Sequence, residues 1–369
     1  MKMKYYFGPD AARQLAAQLD LDPEEYAAWV APRVDDLEIK DRVGVFADGL
    51  RDRLPSDYLA ALDHLIPRLG PELEEGQGYF NHAFYLWPVS RFIEDNGIEH
   101  PAESLVAIEA LTRAFTGEWA VRPFLERYPE LTMAKAHEWS TSDSHNVRRL
   151  STEGIRPRLP WARVHTPFTV DPAPIIPILD RLHADPSTFV RTSVANNLND
   201  ISRTHPGLAI ETAQRWMQSS PADEGAAART AWTVTRGLRT LAKNGDAEAL
   251  AICGYGASDI RVMGFAFPSE AAVGEAADLQ ATLHNDGSQS AEVLVDYRIH
   301  FLKKNGETRP TSFRFGRFTL APGETRTISK THRFRVTGTR TYYPGAHAVS
   351  LVVNGQPTEE VPFDLYAAT

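Results

Sequence analysis

Apolar residues recur at three- and four-residue spacings from the N-terminus to about Ser258, which is the pattern of amphipathic helices. The clearest examples are residues 11–19, 56–69, 102–128 and 206–218. Asp, Ser and Pro precede several of these segments, as they do at helix N-termini. This part of the chain is therefore predicted to be helical.

Near Asp259 the pattern changes to alternating or clustered β-formers, for example over residues 278–287, 291–303, 311–325 and 347–357. Turn signals separate these segments: Asn285-Asp286-Gly287, Asn305-Gly306, Pro322-Gly323 and Asn354-Gly355. About seven short strands in roughly 105 residues favour an immunoglobulin-like sandwich.

A weak repeat lies inside the helical region. Ser142-Asp143 precedes Val147-Arg148, and Asp185-Pro186 precedes Val190-Arg191. Residues 231–241 are a candidate third unit. A period near 40 residues is typical of HEAT repeats, in which helical pairs stack into a curved solenoid with an extended concave surface.

The predicted fold is therefore mainly α, a HEAT-like-repeat solenoid over residues 1–258 followed by an all-β immunoglobulin-like sandwich over 259–369. Residues 1–100 are expected to form an acidic N-terminal cap, and residues 101–258 the repeats. The linker between the two domains is expected at residues 254–259.

The net charge of −9 is unevenly distributed. Residues 1–100 hold 10 Lys+Arg and 19 Asp+Glu, whereas residues 144–165 hold five Arg and one acid. Residues 291–345 hold 11 Lys+Arg and four acids. Binding follows the local field, so the two basic zones indicate a nucleic-acid partner. The alternative is a solvated basic face on each domain.

Several classes of site have no sequence support. The chain contains no HExxH, EF-hand, P-loop, GxGxxG or GxSxG motif, so neither a metal nor a cofactor is expected. Cys253 is the single cysteine, which excludes an intrachain disulfide and a Cys-based zinc site. The chain has no apolar run long enough for a membrane span and no signal-peptide pattern, so a cytoplasmic protein is expected.

The segment from Ser142 to Trp161, with Arg163 just beyond it, is the richest in candidate chemistry. It carries five arginines around a single Glu and a Trp: Arg148, Arg149, Arg156, Arg158 and Arg163 with Glu153 and Trp161. The guanidinium fork suits bidentate phosphate binding. An acid among cations, beside an aromatic ring, suits chemistry on a charged backbone.

Asp200 is a second candidate acid. Helical spacing puts it on one face with Asn196, and that face is expected to turn toward the concave surface. The alternatives are a solvated Asp or a salt bridge to Arg203. Most Glu residues lie on the solvated surface of helices, and this is the alternative for Glu118 and Glu153. Each of the two lies near Trp and Arg in the sequence, which favours a functional role. Trp161 follows Leu-Pro and is expected on a loop, with a packed core Trp as the alternative.

The runs 137–161, 185–206 and 236–250 resemble the HEAT-like-repeat alkylpurine DNA glycosylases, and among these the AlkC branch. The β-domain is similar to that of the AlkC subtype with a C-terminal immunoglobulin-like domain. The resemblance implies excision of cationic N3-methylated bases, chiefly 3-methyladenine and 3-methylcytosine, from double-stranded DNA. It also implies action without base flipping, in contrast to most glycosylases. A monomer is expected because the duplex would fill the concave surface.

The resemblance also implies residue roles. Asp200 would be the principal catalytic acid, Glu118 and Glu153 would line the lesion site, and Trp161 would contact the damaged nucleotide. The DNA backbone would be bound by the five arginines above together with Arg239, Lys243, Lys303, Lys304, Arg314 and Arg317.

Two other functions stay open at this point. HEAT solenoids and immunoglobulin-like sandwiches are common interaction modules, so a non-catalytic scaffold that binds DNA or protein is the main alternative. A carbohydrate-active enzyme would share the two-carboxylate chemistry, but the arginine density argues against a neutral sugar substrate.

Overall fold

The computed structural model describes residues 3–219, 224–256, 259–336 and 341–367. It divides the chain into two compact units, the first ending at Gly237 and the second beginning at Leu238. The first unit is helical and the β-strands all lie in the second, within the described residues, which confirms the predicted fold class. The interior of the first unit contains large, fully buried side chains such as Trp139, Trp216 and Phe124.

The α-helices described in the first unit are α1 (Pro9–Gln18), α2 (Pro23–Val30), α3 (Ile39–Arg53), α4 (Tyr58–Leu65), α5 (Tyr79–His82), α6 (Trp87–Asn96), α7 (Pro101–Ala114), α8 (Val121–Arg127), α9 (Pro129–Trp139), α10 (His145–Glu153), α11 (Thr166–Val170), α12 (Ile176–Leu182), α13 (Thr188–Ile201), α14 (Pro206–Gln218) and α15 (Glu224–Gly237). Short 3-10 turns lie at Met3–Tyr6, Ala31–Arg33, Ile66–Arg68, Phe84–Leu86 and Ala173–Ile175.

Helices α10, α13 and α15 pack side by side. Ser144 and Ser187 cap the first two of these helices, each accepting from a backbone N–H of the first turn (3.3 and 3.2 Å). Arg148 and Arg191 donate from Nη1 to the carbonyl oxygens six and five residues earlier, at 2.6 to 3.0 Å. The repeat seen in the sequence therefore corresponds to two helices that begin in the same way.

The helical pattern over residues 102–128 is interrupted in the structure. Helix α7 ends at Ala114 and α8 begins at Val121, so Glu118 lies in a loop rather than on a helix. Gly117 allows this loop to lie against α7, because a Cβ atom there would come within 2.5 Å of Ile108 Cγ2. The loop between α7 and α8 is itself buried and carries apolar residues. The helical spacing of apolar residues therefore continues unbroken in the sequence, although the helix ends at Ala114.

The second unit begins with two short helices, α16 (Arg239–Asn244) and α17 (Ala247–Ile252). Its strands are β1 (Ile260–Ala266), β2 (Glu270–Ala272), β3 (Ala276–Asn285), β4 (Ala291–Leu302), β5 (Thr308–Leu320), β6 (Thr325–Arg333), β7 (Gly345–Val353), β8 (Gln356–Pro357) and β9 (Val361–Tyr366). The expected linker, residues 254–259, includes residues 257 and 258, which lie outside the described residues.

The strands form two sheets, one with the order β1-β3-β6 and one with the order β2-β9-β7-β4-β5, in which β8 also pairs with β7. Inward-facing residues of both sheets, such as Leu279 and Ile299, form one core. The turn after β7 uses Asn354 (φ 45°) and Gly355 (φ 84°), the two positive φ values expected of an Asn-Gly hairpin. Within the described part of the chain, no helix is long and apolar enough to cross a membrane.

Candidate active site

The three candidate acids of the sequence meet in one buried chain of ion pairs in the first unit. Arg149 forms an ion pair with Glu118, and its Nη2 lies 3.6 Å from Oε1 of Glu153. Arg156 donates from Nη1 to the same Glu153 oxygen (2.6 Å) and from Nε to Oδ2 of Asp200 (2.9 Å). All five side chains are buried. The order along this acid–arginine chain is Glu118, Arg149, Glu153, Arg156, Asp200.

Three separate elements bring these residues together. Arg149 and Glu153 are four residues apart on α10 and therefore lie on one helix face. Arg156 follows α10, and Asp200 lies in the last turn of α13, which packs against α10. Glu118 comes from the loop between α7 and α8. Helical spacing accounts only for the Arg149–Glu153 pair.

The Glu118 end of the chain has further contacts. Thr116 donates its hydroxyl to Oε2 of Glu118 (2.8 Å) and accepts from Nη1 of Arg149 (3.0 Å). The Arg149 guanidinium also lies over the rings of Phe189 and Tyr79, 4.9 and 5.7 Å from their centroids. Cation–π contact and the ion pairs together hold this guanidinium in one position.

The carboxyl groups differ in how their charge is stabilised. Burial raises the pKa of Glu118, and Arg149 offsets this only in part. Burial also raises the pKa of Asp200 above its ordinary value, against the opposing effect of Arg156. For Glu153, burial is outweighed by Arg149 and Arg156, so its pKa is lowered. The central Glu153 is thus the most firmly ionised of the three.

Each terminal carboxylate keeps one oxygen for another partner. The hydrogen bonds of Glu118 use Oε2 and those of Asp200 use Oδ2, and among the described residues nothing donates to Glu118 Oε1 or Asp200 Oδ1. With all groups ionised, three carboxylates face two guanidiniums, an excess of one negative charge. The site is therefore electrostatically suited to a cation.

Trp161 lies on the loop after α10, as expected, and is not a core residue. The residue is 43% exposed and its backbone is in the left-handed region, with φ 64°. The ring stacks on Trp87, with centroids 5.4 Å apart and planes 4° apart, and lies 5.9 Å from Trp119. Trp119 and Trp139, in contrast, are buried.

Two adjacent aromatic residues connect Trp161 with the acid–arginine chain. Phe80 lies edge-on to Trp161, with a centroid distance of 6.3 Å, and Tyr79 lies beside Arg149. A cleft of about 380 Å³ opens next to the indoles of Trp87, Trp119 and Trp161. Its other lining residues are Lys40, Val43, Arg91, Glu94, Arg122, Pro123, Glu126, Ala162 and Arg163.

The expected role of the five arginines as phosphate ligands needs correction for three of them. Arg149 and Arg156 are buried within the acid–arginine chain. Arg148 is bound to the carboxylate of Asp185 by Nε (2.7 Å) and Nη2 (3.1 Å). The guanidinium groups of these three arginines thus bind internal carboxylates, because a buried carboxylate is stabilised by a neighbouring cation. Arg158 is partly exposed and Arg163 is exposed, so these two stay predicted phosphate ligands.

The remaining basic candidates all lie in the second unit. Arg239 and Lys243 are exposed on α16, and Lys303 and Lys304 are exposed in the turn between β4 and β5. On β5, Arg317 is exposed and Arg314 pairs with Asp296 (2.7 Å). Their expected contacts with DNA stay predictions.

Five residues that support the site are not recognisable as such from the sequence, namely Thr116, Tyr79, Phe189, Trp87 and Arg122. Thr116 stands two residues from Glu118, but a Thr at that spacing carries no signal of its own. Arg122 is four residues from Glu118, but nothing in the sequence shows that it binds backbone carbonyl groups. Tyr79, Phe189 and Trp87 come from helices or loops distant in the sequence from Glu118 and Glu153, and no local pattern marks them. Across the described residues, no group of three or more His, Cys, Asp or Glu side chains is arranged to hold a metal ion.

The chain is similar to several known proteins. Residues 261–367 match the family model of the C-terminal immunoglobulin-like domain of the uncharacterised protein YhaZ. The chain is 34% identical over 332 residues to YhaZ of Bacillus subtilis (strain 168), covering 89% of this chain and 88% of that protein. The fold is similar to that of the alkylpurine DNA glycosylase AlkC of Pseudomonas fluorescens, bound to DNA containing an abasic site analogue. That match has a TM-score of 0.87, 28% identity and 99% coverage of both chains.

Proposed function

Since this chain belongs to the AlkC-type family whose members carry a C-terminal immunoglobulin-like domain, as YhaZ does, we propose that it is a DNA glycosylase for alkylated bases. The reaction is hydrolysis of the N-glycosidic bond between a damaged base and its deoxyribose. The similarity to AlkC bound to abasic-site DNA supports a double-stranded DNA substrate.

The observation that carries the proposal is the composition of the acid–arginine chain. Three buried carboxylates share two guanidiniums, and the end members Glu118 and Asp200 each have an oxygen that no described residue occupies. A scaffold has no use for an incompletely compensated negative charge in its interior, because burying it costs free energy. A glycosylase uses such a charge to stabilise the positive charge that develops on the sugar.

The preferred substrates are bases that already carry a positive charge, 3-methyladenine and 3-methylcytosine. When the bond from C1′ to the base nitrogen breaks, its electron pair neutralises the base, which leaves without needing a strong general acid. Water adds to C1′ of the oxocarbenium-like sugar and loses a proton to the carboxylate. We assign this acceptor role to Asp200, whose Oδ1 is the available oxygen.

Glu118 and Glu153 supply negative charge to the same transition state. Arg149 and Arg156 keep Glu153 ionised. Glu118 resembles Asp200 in that one of its carboxylate oxygens, Oε1, accepts no hydrogen bond from a described residue. Trp161 presents the exposed part of its indole to the damaged nucleotide and contacts the sugar. Because its ring already stacks on Trp87, it is poorly placed to sandwich an extruded base, which favours cleavage without base flipping.

DNA binding is proposed to rest on exposed or partly exposed cations rather than on the buried arginines. In the first unit these are Arg158 and Arg163. In the second unit they are Arg239, Lys243, Lys303, Lys304, Arg314 and Arg317. Such contacts position the duplex without reading its sequence, as suits an enzyme that must find damage in any context. The protein is proposed to act as a monomer.

The experiment is to incubate the purified protein with DNA methylated by an SN2 agent and to identify the released bases by chromatography. Release of 3-methyladenine or 3-methylcytosine supports the proposal. Absence of release, with salt-sensitive DNA binding retained, would establish the non-catalytic DNA-binding scaffold instead. A duplex with 2-aminopurine opposite or beside the lesion tests base flipping, since extrusion increases its fluorescence.

A further inference from the structure

The segment from Gly154 to Arg163 connects the two parts of the candidate active site. At one end Arg156 bridges Glu153 and Asp200, and near the other end Trp161 exposes its indole. The segment has no α-helix or strand, and Trp161 has φ 64°. A non-glycine residue in that conformation is strained and persists only when its surroundings hold it there.

Arg122 on α8 provides the main restraint. Its Nη1 donates to the carbonyl oxygens of Gly154 (3.2 Å) and Arg156 (2.9 Å), and its Nη2 donates to that of Arg163 (3.1 Å). One guanidinium therefore joins the two ends of the segment. The planar fork spaces its donors rigidly, so the separation of the two ends is set by the side chain itself.

Two further side chains hold the middle of the segment. Trp119 donates from Nε1 to the carbonyl oxygen of Pro160 (3.1 Å), and Lys40 donates from Nζ to that of Trp161. Trp119 also lies beside the Trp161 ring. The backbone on both sides of the exposed indole is thus bound by donors from outside the segment.

Burying the charged Arg122 side chain without an ion-pair partner costs free energy. This indicates that Arg122 has a role other than stabilising the fold. The side chain is buried, no carboxylate among the described residues pairs with it, and its Nε has no described hydrogen-bond partner. Burial lowers its pKa to about 10. Glu126 favours its charge electrostatically but forms no ion pair with it, and a buried cation whose hydrogen bonds go to carbonyl groups is a weak source of stability.

We propose that Arg122 is a positioning residue for base excision. It holds the Arg156 backbone, and with it the guanidinium that orients Asp200, at a set distance from Trp161. The acids and the indole can then act on the same nucleotide. This inference rests on the proposed glycosylase function and adds a residue that touches neither the substrate nor the acids.

The test compares Arg122→Lys with wild type and with Arg127→Lys, a matched change at an exposed position of the same helix. Lysine keeps the charge but has no fork, so it cannot join both ends of the segment. We expect single-turnover base release to fall at least about tenfold in Arg122→Lys, with affinity for abasic-site DNA within about threefold. Arg127→Lys should match wild type in both. Equal release rates for Arg122→Lys and wild type, in folded protein, would overturn the proposal.

A second measurement separates positioning from general destabilisation. In Arg122→Ala, added methylguanidinium should restore part of the release rate, because it can occupy the vacated site between the carbonyls. The acrylamide quenching of Trp161 fluorescence, isolated by difference from Trp161→Phe, should change in Arg122→Lys. Lack of rescue combined with unchanged quenching would contradict the role. If wild type releases no base, the glycosylase proposal fails, and the quenching result still reports on the restraint of the segment.

Discussion

Arg156 donates from Nε to Oδ2 of Asp200 over 2.9 Å, although the two residues are 44 positions apart in the chain. The contact joins the end of α13 to the segment that follows α10. It decides between the alternatives for Asp200, because this carboxylate is buried and is bound to Arg156 rather than to Arg203. Arg203 contributes only a weaker electrostatic effect on its pKa.

Replacing Asp200 should abolish catalysis while leaving DNA binding intact. We expect Asp200→Ala and Asp200→Asn to release 3-methyladenine at least about 100-fold more slowly than wild type, as for loss of a group that stabilises transition-state charge. Affinity for abasic-site DNA should stay within about threefold. Glu211→Gln, at an exposed position of α14, is the control. Near-normal release by the Asp200 variants would remove it from the mechanism.

The pH dependence of base release should report on Asp200. Burial raises the pKa of its carboxyl group and Arg156 opposes that rise, so removing Arg156 should raise the pKa further. Because the mechanism uses the ionised carboxylate, the acid limb of the single-turnover rate should move to higher pH in Arg156→Met. The profile is compared after subtracting the uncatalysed loss of base. An unshifted acid limb would show that another group controls ionisation.

The ion pair between Arg149 and Glu118 should matter for stability. Arg149→Met leaves Glu118 buried without its cation, and breaking a buried pair from one side typically costs about 3–5 kcal/mol. We expect urea denaturation of the variant to show a loss in that range. Glu118→Gln added to Arg149→Met should recover much of it, because Glu118 then carries no charge that lacks its cation. Equal stability of wild type and Arg149→Met would contradict the buried pairing.

Salt dependence should distinguish exposed from buried arginines. If Arg163 neutralises one phosphate, Arg163→Ala should lower the magnitude of the slope of log K against log salt by about 0.9. Its unfolding free energy should stay within about 0.5 kcal/mol of wild type, as for most surface changes. Binding is measured by fluorescence anisotropy on one duplex at several salt concentrations. A slope identical to that of wild type would exclude Arg163 as a phosphate ligand.

Glu94, which lines the cleft beside Trp161, should make stability depend on pH. Burial raises its pKa from 4.5 to about 7, partly offset by Arg91. The folded protein therefore holds this proton more tightly than the unfolded chain, and stability falls as pH rises from about 4.5 to about 7. Glu94→Gln should melt at least about 2 °C higher than wild type at pH 8 and much closer to it at pH 4.5. If the melting temperatures of Glu94→Gln and wild type differ by the same amount at both pH values, the raised pKa of Glu94 is contradicted.

The sequence by itself determined the class of each half of the molecule. Periodicity distinguishes helices from strands because side chains repeat every 3.6 residues in one and every two in the other. Asn354-Gly355 marked a hairpin because its backbone conformation is local. The candidate acids were also recognisable from their sequence neighbours. Glu118 and Glu153 lie near Trp and Arg, and Asp200 follows three Asn residues.

Only the tertiary structure decided what the arginines do. In the sequence Arg149 and Arg163 are equivalent cations, but one is buried against Glu118 and the other is exposed. Which carboxylate an arginine meets depends on how α10, α13 and the loop after α7 pack, and no local pattern encodes that. Burial then fixes the outcome, because a carboxylate removed from water retains its charge only if a cation is brought to it.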